Sequence, residues 1–179
     1  WLASWPAPAV IALQTKSGAG AHASRYFLNT QTKALKKIIG PAPGLSTLVS
    51  PSGRGVLYSG LTTGGLVLGV YNVPEDVFVR LPVRTLADKC VWTKNEITVY
   101  CAVPKILPAV DYPDSWYRGE VSLVDNLWRL NTKTKRAEIL FNPELASNAT
   151  AIDATELFLS ANEQTLYFTN QNDANLWAL

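Results

Sequence analysis

A repeated pattern of short apolar runs constrains this chain more than any other feature. The segment LSANEQTLYFTN (159–170) aligns with VSPSGRGVLYSG (49–60), and WTKNEITVYCA (92–102) has the same layout. Each copy has an anchoring Ser or Thr (Ser50, Thr93, Ser160), a polar turn, and a run centred on Leu-Tyr or Val-Tyr. A looser copy opens the chain, with Ser4, a turn at residues 5–8 and an apolar run at 10–13. Such self-similarity is typical of a repeat architecture.

A second motif follows each copy along the chain. It reads YFLNTQTK (26–33), GVYNVPED (69–76), LWRLNTKTK (127–135) and a truncated NLWAL (175–179). Asn suits the end of a strand, because its side chain can bond the backbone of the following turn. Alternating apolar and polar residues, with β-branched residues and frequent turn residues, favour strands over helices. Each unit therefore predicts four short strands, and a repeated unit of about 45 residues is typical of a propeller blade.

The turn VSPSGR, the following LYS and the segment LSANEQTLYFTNQNDANLWAL resemble the TolB-type, WD-repeat-like β-propeller repeat. The resemblance implies an all-β chain of four-stranded antiparallel blades. We predict blades at residues 1–40, 41–82, 83–142 and 143–179, with the last blade lacking its outer strand. The resemblance implies rings of about six to eight blades, so we expect these four to be part of a larger ring. The alternative is a four-bladed ring whose last blade lacks its outer strand. Such repeats serve assembly factors, peptidase domains and adhesins alike, so the resemblance selects no function.

Composition excludes several classes of protein. Hydrophobic residues make up 47% and charged residues 17% of the 179 residues, which is typical of a globular protein. The net charge of +2 is scattered and gives no reason to propose nucleic acid as a partner. The sequence contains no apolar run long enough to span a membrane. It also contains no Met, so we expect an excised part of a longer protein.

The loops of a four-stranded blade fall on two faces of a propeller. Loops between the first and second strands are short and uniform in this sequence. Loops between the second and third strands vary widely in length, and they are predicted at residues 14–24, 60–65, 103–123 and 170–174. Variable loops on a rigid scaffold usually carry binding. We therefore predict the functional surface on the face of the variable loops.

The longest variable loop, residues 103–123, contains the stretch DYPDSWYRGE. Tyr, Trp and Arg are enriched at interaction hot spots. The predicted partner-binding residues are Tyr112, Asp114, Trp116, Tyr117 and Arg118. Alternatively, these aromatic residues fold back and close the loop over its own blade. Asp111 and Asp114 raise the possibility of a cation site, but two carboxylates without further oxygen ligands are insufficient, and we predict no metal and no cofactor.

Cys90 and Cys101 are the two cysteines of the chain. If the turn between the first two strands of blade 3 centres on Asn95 and Glu96, the cysteines lie directly opposite each other, within disulfide reach. The alternative is a pair of buried free thiols. A disulfide favours an extracytoplasmic location, either periplasmic or secreted. Asn148-Ala149-Thr150 fits the N-glycosylation pattern, which matters only if a glycosylating host secretes the protein.

Catalysis needs a base, a nucleophile or a metal in a constrained arrangement. His22 is the only histidine and lies on a loop rich in Gly, Ala and Ser, and the sequence has no Gly-x-Ser-x-Gly segment. We therefore predict no catalytic residue and expect no enzyme activity. The sequence favours a protein-interaction or scaffold module of the cell envelope or exterior. The alternatives are the accessory propeller of a larger prolyl-oligopeptidase-like hydrolase and a propeller that binds a glycan or a small molecule.

Overall fold

The computed structural model describes residues 1–145 and 150–179, and nearly all of its regular structure is β-strand. Four antiparallel sheets follow one another along the chain, three with four strands and the last with three. Within each sheet the strands pair in chain order. These features confirm the predicted all-β propeller of antiparallel blades. Asn148 of the glycosylation pattern lies outside the described residues.

Blades 1 and 2 are complete four-stranded sheets. Blade 1 consists of β1 (Leu2–Ala7), β2 (Val10–Gln14), β3 (His22–Asn29) and β4 (Leu35–Pro43). Blade 2 consists of β5 (Ser46–Val49), β6 (Gly55–Thr62), β7 (Gly65–Asn72) and β8 (Val77–Arg80).

Blades 3 and 4 are separated by a longer connection. Blade 3 consists of β9 (Cys90–Trp92), β10 (Thr98–Pro104), β11 (Asp125–Asn131) and β12 (Ala137–Phe141). Blade 4 consists of β13 (Ala154–Leu159), β14 (Leu166–Asn170) and β15 (Asn175–Ala178). Short helical turns lie at Ala87–Lys89, Asp114–Tyr117 (α1) and Pro143–Leu145. In the described part of the chain, no helix has the length and apolarity that crossing a bilayer requires.

The anchoring residues of the repeat lie in equivalent places in three blades. Ser50, Thr93 and Ser160 each follow the first strand directly. The backbone N–H of each donates to the carbonyl oxygen five residues later, at 2.8, 3.1 and 2.9 Å. The prediction for the opening copy is wrong, since Ser4 lies inside β1 opposite Ala12 and the turn falls at residues 8–9. Pro6 did not mark a turn because β1 is an edge strand, where a missing N–H is tolerated.

The motif Asn-Thr-x-Thr-Lys, at residues 29–33 and 131–135, forms a turn between the third and fourth strands. The Oδ1 atom of Asn29 accepts hydrogen bonds from the backbone N–H of Gln31 and Thr32, both at 2.9 Å. Asn131 does the same for the backbone N–H groups of residues 133 and 134, at 3.0 and 2.8 Å. Lys33 has a positive φ of 61° and its equivalent in blade 3 has 62°. Turn geometry therefore explains why this motif recurs.

The Leu-Tyr pairs at residues 57–58 and 166–167 do not lie in equivalent places. Tyr58 is eight residues after Ser50, whereas Tyr167 is seven residues after Ser160. A shift of one residue moves a strand side chain to the opposite face of its sheet. Tyr58 packs against the core between blades 1 and 2, whereas Tyr167 stacks on Phe158 on the free face of blade 4. The same Leu-Tyr sequence therefore packs differently in blades 2 and 4.

Apolar cores lie between neighbouring blades. One cluster joins blades 1 and 2, a second joins blades 2 and 3, and a third joins blades 3 and 4. Their fully buried members include Ala12 and Val56 in the first, Leu57, Leu68 and Val99 in the second, and Ala102 and Leu127 in the third. None of the clusters formed by the described residues joins blade 4 to blade 1. A ring larger than these blades stays a prediction.

Candidate binding face

The loops between second and third strands lie at one end of the propeller, here called the insertion face, and three of them contact one another. It comprises residues 15–21, 63–64, 105–124 and 171–174. The backbone N–H of Ala19 in blade 1 donates to Asp114 Oδ2 in the insertion of blade 3, at 3.0 Å. At the other side, Ser122 Oγ donates to Asn172 Oδ1 of blade 4 at 2.7 Å. The insertion therefore bridges blades that are not adjacent in sequence.

Tyr112 and Trp116 anchor this insertion. They are only 4% and 3% exposed and form a cluster with Leu66, Leu86 and Leu123. Both side chains are turned into the molecule, as the fold-back alternative predicts, but they pack across blades 2 and 3 instead of closing over one blade alone. Contact of Tyr112 or Trp116 with a partner stays a prediction. Neither side chain has exposed surface that supports it.

Of the remaining predicted partner-binding residues, Tyr117 and Arg118 lie at the outer surface of the insertion. Tyr117 is 52% exposed, and its hydroxyl donates to Asp88. Arg118 is exposed and forms a two-bonded ion pair with Glu120, at 2.6 and 3.0 Å. Asp114 is half-buried and accepts the bond from blade 1. The five predicted residues therefore comprise two buried anchors, two exposed residues, and Asp114, which joins the insertion to blade 1.

A fully buried charge cluster lies beneath the insertion. Lys89 Nζ is 2.8 Å from Asp125 Oδ2 and 2.6 Å from Asp153 Oδ1, and all three side chains are inaccessible to solvent. The same Nζ lies 4.6 Å from the centre of the Trp116 ring, within reach of a cation–π interaction. Trp116 Nε1 also donates to both oxygens of Asp153, at 3.0 and 3.3 Å. The cluster therefore ties the insertion to blades 3 and 4.

The cluster has two carboxylates for one ammonium group. Burial raises the pKa of Asp125 to about 6, and the attraction of Lys89 opposes this rise. Asp125 Oδ2 also accepts the backbone N–H of Ala154 at 2.8 Å. A carboxyl group with such a pKa suits acid–base chemistry where a substrate can reach it, but this cluster is closed to solvent. Its contacts support a structural role.

None of the sequence motifs described above predicts this cluster. Lys89 precedes the first strand of blade 3, and Asp153 precedes that of blade 4, between Ile152 and Ala154, which are both buried. A charged residue between apolar residues at the start of a strand indicates burial, and buried charges need partners. That pattern could have marked Asp153 as buried, but it could not have named its partner.

A cavity of about 310 Å³ lies between the inner strands of blades 1 and 2. Its wall includes β1, Arg25 and Thr47, and Asp88 and Tyr117 border it from the side of the insertion. Arg25 is 5% exposed, and its Nε donates to Thr47 Oγ1 at 2.6 Å. Burial lowers the pKa of Arg25 to about 10, an effect that the negative charge of Asp88 opposes. The guanidinium is therefore a protonated group at the edge of a cavity. Sequence reasoning missed it, since nothing in the sequence around Arg25 indicates burial.

The predicted disulfide is present. Cys90 and Cys101 are direct partners in the antiparallel register of β9 and β10, with their Cα atoms 4.1 Å apart. Counting residues around the turn was sufficient to pair them, because a tight hairpin fixes which residues face each other.

The other candidates from the sequence are His22 and the pair Asp111 and Asp114. His22 is exposed at the first position of β3. Within residues 1–145 and 150–179, no group of three or more His, Cys, Asp or Glu side chains could hold a metal ion, and Asp111 and Asp114 are no exception.

Comparison with known proteins identifies the fold. No protein-family model and no curated protein sequence matches the chain. TolB from Acinetobacter baumannii is 11% identical with a TM-score of 0.57, over 95% of this chain and 40% of TolB. The putative TolB from Agrobacterium tumefaciens is 13% identical with a TM-score of 0.61, over 95% of this chain and 60% of that protein. The β-propeller domain of the Trilobed protease from Pyrococcus furiosus is 12% identical with a TM-score of 0.53, over 99% of this chain and 56% of that one.

The chain thus spans about half the length of these proteins, and at such low identity the likeness concerns the fold alone. The chain is a β-propeller whose blade arrangement is similar to that of TolB.

Proposed function

We propose that this chain is a non-catalytic β-propeller module that binds a protein partner through the insertion face. The observation that carries the proposal is the two-sided character of the insertion at residues 105–124. Its inner side is held by Tyr112 and Trp116, whereas its outer side exposes Ile106 at 79% and Tyr117 at 52%. Tyr is enriched at interaction hot spots, and the buried anchors hold the loop that exposes Tyr117.

The anchoring also lowers the cost of binding. Ordering a loop on association consumes free energy, and a loop that is already ordered avoids this loss. Trp116 and Leu123 both donate to Asp153 of blade 4, the latter through its backbone N–H at 2.8 Å. These bonds hold the insertion against blade 4, and Arg118, paired with Glu120, adds a polar rim.

The disulfide supports a location outside the cytoplasm. Cys90 and Cys101 join the two inner strands of blade 3. Stable structural disulfides are rare in reducing compartments and common in the periplasm and outside the cell. We propose that the module works in the cell envelope or exterior.

A crosslinking experiment with matched variants tests this function. The chain is immobilised, exposed to envelope and secreted proteins of the source cell, crosslinked and analysed by mass spectrometry. We expect the wild-type chain to enrich one protein, and Ile106→Asp with Arg118→Ala to lower that enrichment by about tenfold, equivalent to about 1.4 kcal/mol. Ile139→Asp, at a 49% exposed position on β12, serves as the control. Equal enrichment by all variants, each with an unchanged melting temperature, contradicts the proposal.

A second candidate function is the accessory propeller of a larger hydrolase. The likeness to the propeller domain of the Trilobed protease favours it. In that case the insertion face would contact a catalytic domain of the same polypeptide. A Gly-x-Ser-x-Gly segment in the full reading frame would select this alternative, since that sequence forms the nucleophile turn of such hydrolases.

A further inference from the structure

Arg25 is a nearly buried cation that makes no direct ion pair, although Asp88 borders the same cavity. Arg25 is 5% exposed, and no Asp or Glu of the described residues forms an ion pair with it. Burying an unpaired charge is costly, so a buried cation normally has a partner. The contrast with Lys89, which has two carboxylates within 2.8 Å, sets Arg25 apart within the same fold.

Hydrogen bonds fix one edge of the Arg25 guanidinium. Nε and Nη2 donate to Thr47 Oγ1 and Thr47 O, at 2.6 and 3.1 Å. Thr47 Oγ1 in turn donates to Gln14 Oε1 at 2.6 Å, and Gln14 Nε2 donates to Leu45 O at 3.0 Å. No hydrogen bond from Nη1 to a described residue is present, and the guanidinium borders the cavity. Arg25 is thus pre-oriented, with donor capacity left for a group in the cavity.

The rest of the cavity wall is largely apolar. Leu2, Trp5, Leu48 and Val49 contribute to it, and its volume is about 310 Å³. A cavity of this size holds a small ligand or the end of a chain. A fixed guanidinium beside an apolar wall matches a ligand with a carboxylate on an apolar group, because the planar fork of Arg bonds both oxygens of a carboxylate.

Asp88 limits the charge of such a ligand. It borders the same cavity and raises the pKa of Arg25 against the effect of burial. Its carboxylate, which accepts the hydroxyl of Tyr117, repels further negative charge. A single carboxylate directed at Arg25 is therefore favoured over a phosphate or a dicarboxylate.

We propose that the cavity between blades 1 and 2 is a binding site for a monocarboxylate carried on an aromatic or aliphatic group, with Arg25 as its counter-ion. The carboxylate belongs either to a free small molecule or to the C-terminus of a peptide chain. The cavity shares Tyr117 with the proposed partner surface, but its test measures binding at Arg25, whereas the partner test changes Ile106 and Arg118, so the two proposals can fail separately.

Titration of the wild-type chain tests the site directly. The probes are phenylacetate, phenylacetamide, phenyl phosphate, and a tetrapeptide ending in Phe as its free acid and as its amide. Binding is followed by calorimetry and by the ¹H–¹⁵N resonance of Arg25 Nε. We expect each acid to bind at least about tenfold more tightly than its amide, and phenylacetate more tightly than phenyl phosphate. Tighter binding of the peptide acid identifies a chain terminus as the source, and tighter binding of phenylacetate identifies a small molecule.

Variants provide the second measurement. Arg25→Met is expected to abolish the preference for acids, and Arg25→Lys to weaken it, because an ammonium group lacks the two-bonded geometry. Arg54→Met, at an exposed position, is the matched control and should leave binding unchanged. The proposal is overturned if no acid binds the wild-type chain at millimolar concentration, if acids and amides bind equally, or if the Arg25 Nε resonance does not move. The wild-type measurements decide the question even if Arg25→Met fails to fold.

Discussion

Among single residues, we expect Lys89, Asp125 and Asp153 to affect the free energy of unfolding most. Removing Lys89 leaves two buried carboxylates without a counter-charge, and leaving a buried charge unpaired typically costs about 3–5 kcal/mol. Here the cluster carries a net negative charge, since two carboxylates face one ammonium group. Asp153 has the richer set of donors, from Trp116, Leu123 and Lys89. Asp125 is therefore the member whose charge is the least well compensated.

The pKa of Asp125 predicts an unusual pH dependence. Because its folded pKa is raised from 3.8 to about 6, the folded chain binds more protons than the unfolded chain between about pH 4 and 6. The contribution of Asp125 to stability is therefore lost as the pH rises through this window. We expect Asp125→Asn to remove this loss, which amounts to as much as about 3 kcal/mol for a shift of about two units.

Urea unfolding of both proteins between pH 4 and 7, followed by Trp fluorescence, measures this difference. Lys89 and Asp153 are the charged groups that face Asp125, and both are retained in the variant. Exposed carboxylates with lowered pKa values, Glu120 and Asp173, contribute equally to the two proteins. Parallel stability curves for the two proteins would contradict the raised pKa.

Sequence reasoning succeeded for residues whose contacts are local. Cys90 and Cys101 are separated by a single hairpin, so counting from the turn paired them. Lys89 and Asp153 are 64 residues apart, and their contact depends on how blades stack. For Trp116 the sequence left partner contact and fold-back open, because Trp is typical of both interfaces and cores, and composition alone does not distinguish the two.

At the scale of elements, the hairpin turns between first and second strands also connect neighbouring blades. Glu96 in blade 3 and Glu163 in blade 4 have positive φ angles of 55° and 58°, and Gly53 has 75° at the corresponding place in blade 2. Glu96 accepts from Ser52 N at 2.6 Å in the preceding blade, and Glu163 accepts from Lys94 N at 2.6 Å. Non-glycine residues in this conformation are strained, and the bonds between blades offset that strain.

Two substitutions at Glu96 separate strain from contact. Glu96→Ala keeps the strained backbone and loses the bonds to Ser50 and Ser52, so we expect a loss of about 1–2 kcal/mol. Glu96→Gly loses the same bonds but relaxes the backbone, so we expect it to be about 1 kcal/mol more stable than the Ala variant. Urea denaturation measures both differences. An Ala variant as stable as the wild type would show that the carboxylate contributes nothing between blades.

For the whole molecule, the repeat predicted the architecture because each blade exposes two faces that only another blade can bury. Anchors such as Ser50 and Thr93 are set by local turn geometry and could be recognised in the sequence. The one-residue shift of Tyr58 could not, because it follows from strand register, which depends on packing. Ring size is a property of contacts between the first and last blades and is not encoded in any single repeat.

Strand pairing places Leu68, Leu127 and Leu176 at the same position of the third strand in blades 2, 3 and 4. Their partners on the second strand are Ser59, Ala102 and Thr169. Leu68 and Leu127 are fully buried against the following blade, whereas Leu176 is 62% exposed. The same residue type in the same place of the repeat thus has opposite surroundings.

This contrast yields a matched pair of variants. Leu127→Ala creates a cavity between blades 3 and 4, and we expect a loss of about 2–5 kcal/mol in the free energy of unfolding. Leu176→Ala removes the same atoms from an exposed face, and we expect a change within about 0.5 kcal/mol. Thermal and urea unfolding at low protein concentration measure both. If Leu176→Ala costs as much as Leu127→Ala, the face of blade 4 is covered in solution, and the stability of these blades depends on a surface beyond the three cores between them.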